Sequence, residues 1–453
     1  MKPRRLTLVL ALVAVAALVV SAGASANGSK LILKDPFTQG GQHATVVEPD
    51  TFSAGSTIVA VAMVGVFTDG GATGIGFATS TDNGASWTSG VLPGITPYTN
   101  PPGPYDRATD PSVAFDARHN VWIAASLGLK LPGLVGAAVL ASRSTNGGLS
   151  WTNPVTIAAA GNNQSFDKPW VVCDNTSTSP GYGSCYAQFD DSGHANQFKF
   201  SFSRDGGLTW TATQTPNVSV IGGQPLVQPS GKVIIPIDNA TETTLEALVS
   251  TNGGGNWTLV TITSITAASN PGTFRGGPLP SAEIDGAGKV FVAWQDCRFR
   301  IGCTTNDIVY VTSSDGLSWS AVQRIPIDPV TSTVDHVIPG IGVDKATSGS
   351  GAHVSVTYYY FPNVSCTFST CQLDAGSISS SNGGTTWGTP VQFAGPMTLS
   401  LLPSTTGGRF LGDYISTSFA GDGTSHGAVI VAKLPSGSDP FDVALYDPPI
   451  RFR

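Results

Sequence analysis

Short extended segments with alternating apolar and polar positions recur along the chain, and they come in pairs separated by a turn rich in Asp and Gly. In DPSVAFDARHNVWIAAS, which begins at Asp110, β-branched, aromatic and small apolar residues occupy the alternate positions on both sides of the turn. Such alternation is typical of strands, so each pair predicts a β-hairpin. Seven pairs occur, the first and fourth with looser matches, beginning at His43, Asp110, Asp167, Gln224, Pro278, Ile338 and Arg409.

A box of seven or eight residues that ends in Trp follows six of the seven hairpins. STDNGASW and STNGGLSW are two examples, and successive box tryptophans lie 47 to 68 residues apart. That period suits one four-stranded propeller blade. The Ser and Asp or Asn side chains can accept from backbone N–H groups, Gly adopts positive φ, and Trp packs between sheets, so we interpret the box as the turn between strands three and four. The boxes end at Trp87, Trp151, Trp210, Trp257, Trp319 and Trp387.

The repeats predict the fold class. Nothing after residue 27 shows the sustained 3.6-residue apolar rhythm of a helix. We therefore expect an all-β chain that folds as a β-propeller of four-stranded blades. Seven hairpins predict seven blades, and six boxes leave six blades as the alternative.

The first 26 residues have the pattern of a secretory signal. Lys2, Arg4 and Arg5 precede an apolar run, and the small residues of SAGASA follow it. The run is about 15 residues long, whereas a membrane span needs roughly 20. We expect cleavage after Ala26, export of the protein, no membrane span afterwards, and one propeller domain over residues 27–453.

The net charge and the cysteine content limit which kinds of partner and which cellular compartment we expect for this protein. The formal net charge is −7, and loss of the three leader cations brings it to about −10, which argues against a nucleic-acid partner. We expect a monomer with no cofactor and no metal centre. In an exported protein six cysteines in three close pairs favour local disulfides over a thiolate metal site. The expected pairs are Cys173–Cys185, Cys297–Cys303 and Cys366–Cys371.

The box S-x-D-x-G-x-x-W resembles the signature of the sialidase-like, or BNR/Asp-box repeat, β-propeller superfamily, in a secreted bacterial-type form. The similarity spans essentially all of the mature chain, with Asn146, Asn252 and Asn382 in place of the usual Asp. Asn keeps the hydrogen-bond acceptor, so the fold prediction is unchanged. The superfamily includes sialidases, other glycosidases, sorting receptors and assembly factors, so the resemblance is more specific for fold than for function.

Strand direction predicts where a ligand would bind. The box turns share one face of a propeller with the hairpin turns, and the opposite face is built from loops between strands two and three and from links between blades. We expect the ligand site on this second face, over the central channel. Five of the mature chain's eleven arginines are predicted there. They are Arg107, Arg275, Arg298, Arg300 and Arg409.

The resemblance implies a sialidase set: three arginines around a substrate carboxylate, a tyrosine nucleophile activated by a carboxylate, and an acid/base aspartate. The chain order accommodates such a set, and the predicted function is an exo-α-sialidase-type glycoside hydrolase acting on an anionic terminal sugar. The chain lacks the Arg-Ile-Pro motif expected on the first blade, since its one copy, at Arg324, follows the fifth box. The predicted catalytic residues are Tyr414, Asp110 and Glu283, and the predicted substrate-binding residues are Arg107, Arg275, Arg298 and Arg409.

The alternative is a non-catalytic propeller that binds glycan or protein with the same face. In that case the arginines pair with neighbouring aspartates at blade junctions. Asp110 and Asp413 would then hold backbone N–H groups or a structural Ca²⁺ in the channel. Convergence of three arginines on one point above Tyr414 favours hydrolysis, whereas an Asp partner for each arginine favours binding.

Overall fold

The computed structural model describes residues 28–452, and the predicted signal segment, residues 1–26, lies outside the described residues. Strands are numbered along the chain from β1 (Lys30–Leu33) to β31, and five single-turn 3₁₀ helices interrupt them. The predicted all-β propeller is confirmed. Within the described part of the chain, no helix is both long and apolar enough to cross a bilayer. The 3₁₀ helices span Ser192–His194, Pro271–Thr273, Ile301–Cys303, Gly349–Gly351 and Leu399–Leu401.

The largest sheet has eight strands and consists of two four-stranded halves. A single ladder pair, Ala72 with Ala108, joins the halves. The strands β3 and β4 are buried on both faces, which explains the nearly continuous apolar sequence of TIVAVAMVGV. The strands are β2 (Gln42–Ala54), β3 (Thr57–Val66), β4 (Ala72–Ser80), β5 (Thr88–Val91), β6 (Arg107–Asp116), β7 (Val121–Lys130), β8 (Val135–Ser144) and β9 (Val155–Ala159).

Four further sheets complete most of the ring. The first has β10 (Phe166–Cys173), β11 (Cys185–Asp191) and β12 (Gln197–Ser203). The second has β13 (Val220–Ile221), β14 (Leu226–Val227), β15 (Val233–Asn239), β16 (Thr244–Ser250) and β17 (Thr258–Ser264). The third has β18 (Ser281–Ile284), β19 (Val290–Asp296), β20 (Asp307–Ser313) and β21 (Gln323–Arg324). The fourth has β22 (Asp335–Val343), β23 (Val354–Phe361), β24 (Gln372–Ser380) and β25 (Val391–Thr398).

The last sheet joins the two ends of the described chain. Its order is β1–β30–β29–β28, so the strand that precedes the first hairpin pairs with the strand that follows the final hairpin. Leu31 lies opposite Tyr446 and Leu33 opposite Leu445. A two-stranded ribbon, β26 (Ser404–Thr405) and β27 (Gly408–Arg409), precedes this sheet. Its remaining strands are β28 (Ser416–Phe419), β29 (Ser425–Ala432), β30 (Val443–Asp447) and β31 (Pro449–Ile450).

The seven predicted hairpins are all present, and their first strands form the wall of the central channel. These inner strands contact one another in the cyclic order β2, β6, β10, β14, β18, β22, β28 and back to β2. Five sheets of three to five strands stand alone as blades, which differs from the predicted seven or six. The difference arises because the Ala72–Ala108 pair merges two four-stranded halves into one sheet.

The six box turns share one geometry. The Ser hydroxyl oxygen accepts from the N–H of a box Gly at 2.8–3.0 Å. The Asp or Asn Oδ1 accepts from the N–H three or four residues later, also at 2.8–3.0 Å. Asn146, Asn252 and Asn382 make the same contacts as the aspartates, because both residue types offer the accepting oxygen.

Each box tryptophan packs against the preceding blade, as its predicted place between sheets requires. Trp151 lies 6.0 Å from Phe77, centroid to centroid, and Trp387 lies 5.8 Å from Tyr310. Trp151 Nε1 also donates to the carbonyl oxygen of Gly148 at 3.0 Å. The repeated turn therefore fixes one blade on the next as well as closing its own strands.

The three predicted disulfides are present, and all six cysteines pair. Cys173–Cys185 links the facing ends of β10 and β11. The pairs Cys297–Cys303 and Cys366–Cys371 each close a loop between a second and a third strand. Two bridges therefore lie on the face where the sequence predicts a site.

Candidate functional site

Four inner strands carry the same irregularity beside the channel. Glu48, Asp110, Lys168 and Ile338 each precede a proline, and their φ angles are 46–51°. The strand register shifts at each of these positions. Proline has no N–H to donate, so the ladder is interrupted and a bulge forms. Positive φ in a residue other than Gly costs about 1–3 kcal/mol and is enriched at functional sites.

Three of these bulge residues line one cavity of about 210 Å³, called the site cavity below. Its charged wall consists of Glu48, Asp110, Asp167, Lys168 and Arg275. Phe67 and Gly70, from the loop between β3 and β4, and Ser192, from the loop after β11, complete other parts of the wall. The cavity therefore opens on the face of two-to-three loops and blade links, as expected for a ligand site.

An ion-pair network that includes Lys168 and Arg275 of the cavity wall adjoins the site cavity. Arg275 donates from Nε to Asp413 Oδ1 at 3.0 Å and from Nη2 to Asp413 Oδ2 at 2.6 Å. Lys168 Nζ donates to Asp413 Oδ2 at 2.8 Å and lies 3.8 Å from Asp110 Oδ1. The backbone N–H of Asp413 donates to Glu48 Oε1 at 3.3 Å. Asp413 thus has two cationic partners, whereas Asp110 has a more distant one.

The carboxyl groups of this network ionise differently because their partners differ. Burial alone would raise the pKa of Asp413, but the charges of Lys168 and Arg275 hold it well below its ordinary value. Burial raises the pKa of Asp110 to about 6, with Lys168 opposing the shift. Burial, and then the charges of Asp110 and Asp413, raise the pKa of Glu48 well above its ordinary value.

Tyr414 lies beside the network, and no carboxylate of residues 28–452 is hydrogen-bonded to its hydroxyl. Its Oη donates to the carbonyl oxygen of Pro111 at 3.0 Å, and its ring packs edge-on against Trp170 at 5.0 Å. Burial, and then the charges of neighbouring carboxylates including Glu48 and Asp110, raise the pKa of Tyr414 well above its usual value. These conditions oppose formation of a phenolate nucleophile.

Of the predicted arginines, Arg275 alone is among the residues that line the site cavity. Arg107 binds Asp69 at 2.6 and 3.2 Å. Arg298 binds Asp296 at 2.7 and 2.9 Å. Arg107 and Arg298 were expected to bind a substrate carboxylate, but each binds a carboxylate of the protein instead.

Arg409 and Arg300 also have partners of their own. Arg409 donates to the carbonyl oxygen of Leu402 at 2.6 Å, and its guanidinium lies 4.6 Å from the centre of the Phe368 ring. Arg300 binds Asp307 at 2.6 Å. The structure therefore brings Asp110, Tyr414 and Arg275 together and keeps the other predicted arginines apart.

Glu283 lies in a different cavity, of about 220 Å³, whose lining residues do not overlap those of the site cavity. Hairpin-turn residues such as Asp285 and Lys345 line it, so it opens on the box-turn face. Lys345 Nζ lies 3.6 Å from Glu283 Oε2. Burial raises the pKa of Glu283, and Lys345 partly offsets this effect. Glu283 is therefore separate from Asp110, Lys168 and Arg275, which line the site cavity.

Within residues 28–452, Asp307, Asp328 and His336 form one group whose oxygen and nitrogen atoms are close enough to hold a metal ion. Arg300 Nη2 and Arg324 Nη2 bind the same two carboxylates at 2.5–2.8 Å. Two guanidinium groups already neutralise these carboxylates, so a cation would meet like charge. Arg324, from the displaced Arg-Ile-Pro, is part of this structural network.

Glu48, Lys168 and Trp170 were not among the residues that sequence reasoning selected for the site. A signal for them exists: Glu48, Asp110, Lys168, Gln224, Leu279 and Ile338 each stand before a proline near the start of a hairpin. Inner-strand prolines predict bulges, and bulges redirect a side chain. A repeat alignment centred on these prolines would have placed Glu48, Asp110 and Lys168 at equivalent positions.

Among comparisons with protein families, curated sequences and solved structures, the matches are to solved structures. No family model and no curated protein sequence matches the chain. Among solved structures, the Hadza microbial sialidase Hz136 is 16% identical, with 70% of this chain and 63% of that chain covered and a TM-score of 0.46. The K499G mutant of NanB sialidase from Streptococcus pneumoniae is 13% identical, with 94% and 70% covered and a TM-score of 0.46.

The α-L-arabinofuranosidase Arb93A from Fusarium graminearum is 10% identical, with 78% of this chain and 98% of that chain covered and a TM-score of 0.45. The chain spans less than two thirds of the Hadza sialidase. The predicted resemblance to sialidase-like propellers is matched by solved structures that include sialidases and a related glycosidase. At these identities and TM-scores, the comparisons carry no argument about family membership or activity.

Proposed function

We propose that this propeller binds a carbohydrate or glycoconjugate in the site cavity and does not hydrolyse α-sialosides. The observation that carries the proposal is the closed network of Asp413, Arg275 and Lys168. Both cations of the cavity already bind a protein carboxylate. Recognition of a sialic acid carboxylate would require free guanidinium forks, because those form the bidentate pairs that suit it.

The size and lining of the site cavity support a small sugar group as ligand. Drug-sized ligands occupy about 300–1,000 Å³, so a cavity of about 210 Å³ suits a smaller group such as one terminal ring. Glu48 and Asp110 offer oxygens to sugar hydroxyls, and Phe67 and Phe410 offer apolar surface. The cavity lies on the propeller face that is free of box turns.

A sialidase-type glycosidase is the second candidate, because Asp110, Tyr414 and Arg275 do meet in one region. The pKa of Asp110 is raised to about 6 while that of Asp413 is lowered. Carboxyl groups whose pKa values are pushed apart provide the acid and base of many hydrolases. This candidate requires Lys168 and Arg275 to release Asp413 and to bind the substrate carboxylate in its place.

A glycan array with the wild type and Ser192→Trp tests the binding proposal. Ser192 is exposed on the cavity rim, so the indole should narrow the entrance without disturbing the core. We expect at least one glycan class to bind the wild type and to lose most of its signal with Ser192→Trp. Ser438→Trp, in an exposed loop, is the matched control. Equal binding by all three proteins, or no binding by any, contradicts the proposal.

We also propose that each half of the eight-stranded sheet is a blade, which gives seven blades in a single domain. The cyclic order of seven inner strands supports this count. In the three-stranded blade, the segment that contains Gln214 and Ser219 takes the place of a fourth strand. It pairs with the third strand through isolated bridges from Gln214 to Phe200 and from Ser219 to Gln197.

We propose that the protein acts outside the cell as a monomer. Three disulfides support an oxidising compartment, because such bonds persist there and are rare in the cytosol. Sedimentation of the purified protein measures its assembly state. Repeating the measurement with reductant shows whether that state depends on the disulfide bridges.

A further inference from the structure

The region around Lys168 has more carboxyl groups than cations. Two cations, Lys168 and Arg275, face five carboxyl groups that interact electrostatically with Lys168. Asp413 takes both cations at hydrogen-bonding distance. The five carboxyl groups belong to Glu48, Asp110, Asp167, Asp190 and Asp413.

Glu48 and Asp110 therefore lie on the wall of the site cavity without a cation of the described chain at hydrogen-bonding distance. Asp110 Oδ1 is 3.8 Å from Lys168 Nζ, beyond hydrogen-bonding distance. Glu48 accepts one backbone N–H, at 3.3 Å. Both residues are at most 4% exposed, so water screens their repulsion poorly. A ligand that brings positive charge into the cavity would relieve it.

The spacing of these groups favours an organic cation over a metal ion. In the part of the chain that the structure describes, the side chains close enough together to share a metal ion are those of Asp307, Asp328 and His336. No carboxylate of the site cavity belongs to this group. An ammonium group on a larger ligand needs no common coordination point, since each of its N–H bonds can reach a different oxygen.

We infer that the site cavity recognises a sugar that carries a protonated amine, such as a terminal glucosamine residue, with Glu48 and Asp110 as acceptors of its N–H donors. This inference rests on the proposed carbohydrate binding and names the class of sugar. An anionic sugar is disfavoured, because its carboxylate would have to displace Asp413 from Lys168 and Arg275. A neutral N-acetylated sugar would leave the two wall carboxylates without a counter-charge.

Isothermal titration calorimetry with two chitotetraose samples tests this inference. The fully deacetylated tetramer carries amines, and the fully acetylated tetramer has the same backbone without them. A charge-assisted hydrogen bond to a buried carboxylate is worth about 1.5–3 kcal/mol, so we expect the deacetylated tetramer to bind about 10- to 100-fold more tightly at pH 7. Sialyllactose, as an anionic probe, should bind more weakly than either.

Two variants connect the preference to the cavity. Asp110→Asn and Glu48→Gln each replace a carboxyl group that can ionise by a neutral amide of the same shape, and Asn tolerates the positive φ of position 110. We expect each variant to lower the preference for the amine at least about fivefold. Asp439→Asn removes a charge from an exposed loop and should leave the preference unchanged, which controls for the acidity of the whole chain.

The outcomes separate the two proposals. If a sugar binds but the acetylated or sialylated ligand binds as tightly as the amine, the inference is wrong and the binding function stands. The same follows if all three variants keep the preference, because it would then come from net charge. If none of these ligands binds and the glycan array is also negative, the proposed function fails, and the inference fails with it.

Discussion

At the scale of single residues, the site depends on how one lysine divides its charge between two carboxylates. Lys168 Nζ lies 2.8 Å from Asp413 and 3.8 Å from Asp110. Arg275 adds two hydrogen bonds to Asp413, so that this residue stays ionised. Asp110 is as deeply buried without equal support, and its pKa therefore rises. The strained φ of Lys168 places its side chain between the two carboxylates, at a cost in backbone energy.

Replacing Lys168 by Met should destabilise the protein strongly near neutral pH. The change leaves Asp413 with Arg275 alone and leaves Asp110 without a cation. Breaking a buried ion pair costs about 3–5 kcal/mol, and we expect about 2–4 kcal/mol because Lys168 keeps some solvent contact. Urea unfolding followed by tryptophan fluorescence measures the loss.

Lys345→Met is the matched control for this measurement. Lys345 lies 3.6 Å from Glu283, but its side chain is 46% exposed, so its loss should change stability by less than about 1 kcal/mol. Similar losses for both variants would show that the Lys168 network does not hold the channel together.

At the scale of structural elements, the box turn performs two tasks with few residues. Its Ser and Asp or Asn oxygens replace backbone partners where the third strand reverses, and its Trp packs on the preceding blade. Because these contacts are local, the sequence pattern predicts them well. The turns where the sequence reads Asn instead of Asp keep the same hydrogen bonds.

Changing Ser80 to Ala should cost about 1–2 kcal/mol of unfolding free energy. The substitution removes the oxygen that accepts from the N–H of Gly84 at 2.9 Å and leaves that buried donor without its partner. Asn146→Asp should change stability by less than about 0.5 kcal/mol, because Oδ1 keeps its contact with Ser150 N. Chemical denaturation of both variants checks this. A neutral Ser80→Ala would mean that the tryptophan alone sustains the turn.

The inner-strand bulges show where element prediction from sequence ends. Hairpins and boxes follow from local alternation and turn chemistry, and the structure has both where the pattern places them. The partner of a side chain pointing into the channel comes from another blade, as with Arg275 and Asp413, which are 138 residues apart. Asp110, Arg275 and Tyr414 were identified as site candidates, but their ion pairing depends on blade geometry that no local pattern contains.

At the scale of the whole molecule, the ring is closed by a strand from the start of the described chain. The strand β1 pairs with β30 and completes the last sheet. Leu33 is 2% exposed within the core of that sheet, while Leu31 on the same strand is 46% exposed. Closure therefore rests on the burial of a short segment that hydrophobic periodicity did not identify as part of a blade.

Leu33→Ala should destabilise the propeller by about 2–4 kcal/mol, because it leaves a cavity at the closing strand. Leu31→Ala, on the exposed side, should cost less than about 1 kcal/mol. Thermal unfolding by differential scanning calorimetry compares the two variants. Equal effects would show that β1 contributes little to ring closure.

Stability should be greater at pH 5 than at pH 7.5. Burial raises the pKa of Asp50 to about 7 and the pKa values of Asp35, Asp110, Asp335 and Asp374 to about 6. The folded state holds these protons more tightly than the unfolded chain, so stability declines as pH rises from about 4, the pKa in the unfolded chain, through these values. We expect a difference of about 2–4 kcal/mol in urea unfolding.

The opposite trend should appear in strong acid. Hydrogen bonds lower the pKa values of Asp82 and Asp205 to about 2, and those contacts stabilise the fold above the unfolded value near 4 and are lost as pH falls towards 2. The pH profile should therefore have a maximum near pH 4, close to the pKa of a carboxyl group in the unfolded chain. A stability that rises steadily from pH 5 to 7.5 would contradict the assignment of buried, protonated carboxyl groups.

The most direct test of a binding propeller is hydrolysis of a fluorogenic α-sialoside by the purified protein, measured beside its Tyr414→Phe variant. We expect no turnover above buffer from either protein, because Tyr414 donates to Pro111 and the cavity cations are held by Asp413. Turnover by the wild type that disappears in Tyr414→Phe would contradict this expectation and establish a sialidase with Tyr414 as its nucleophile.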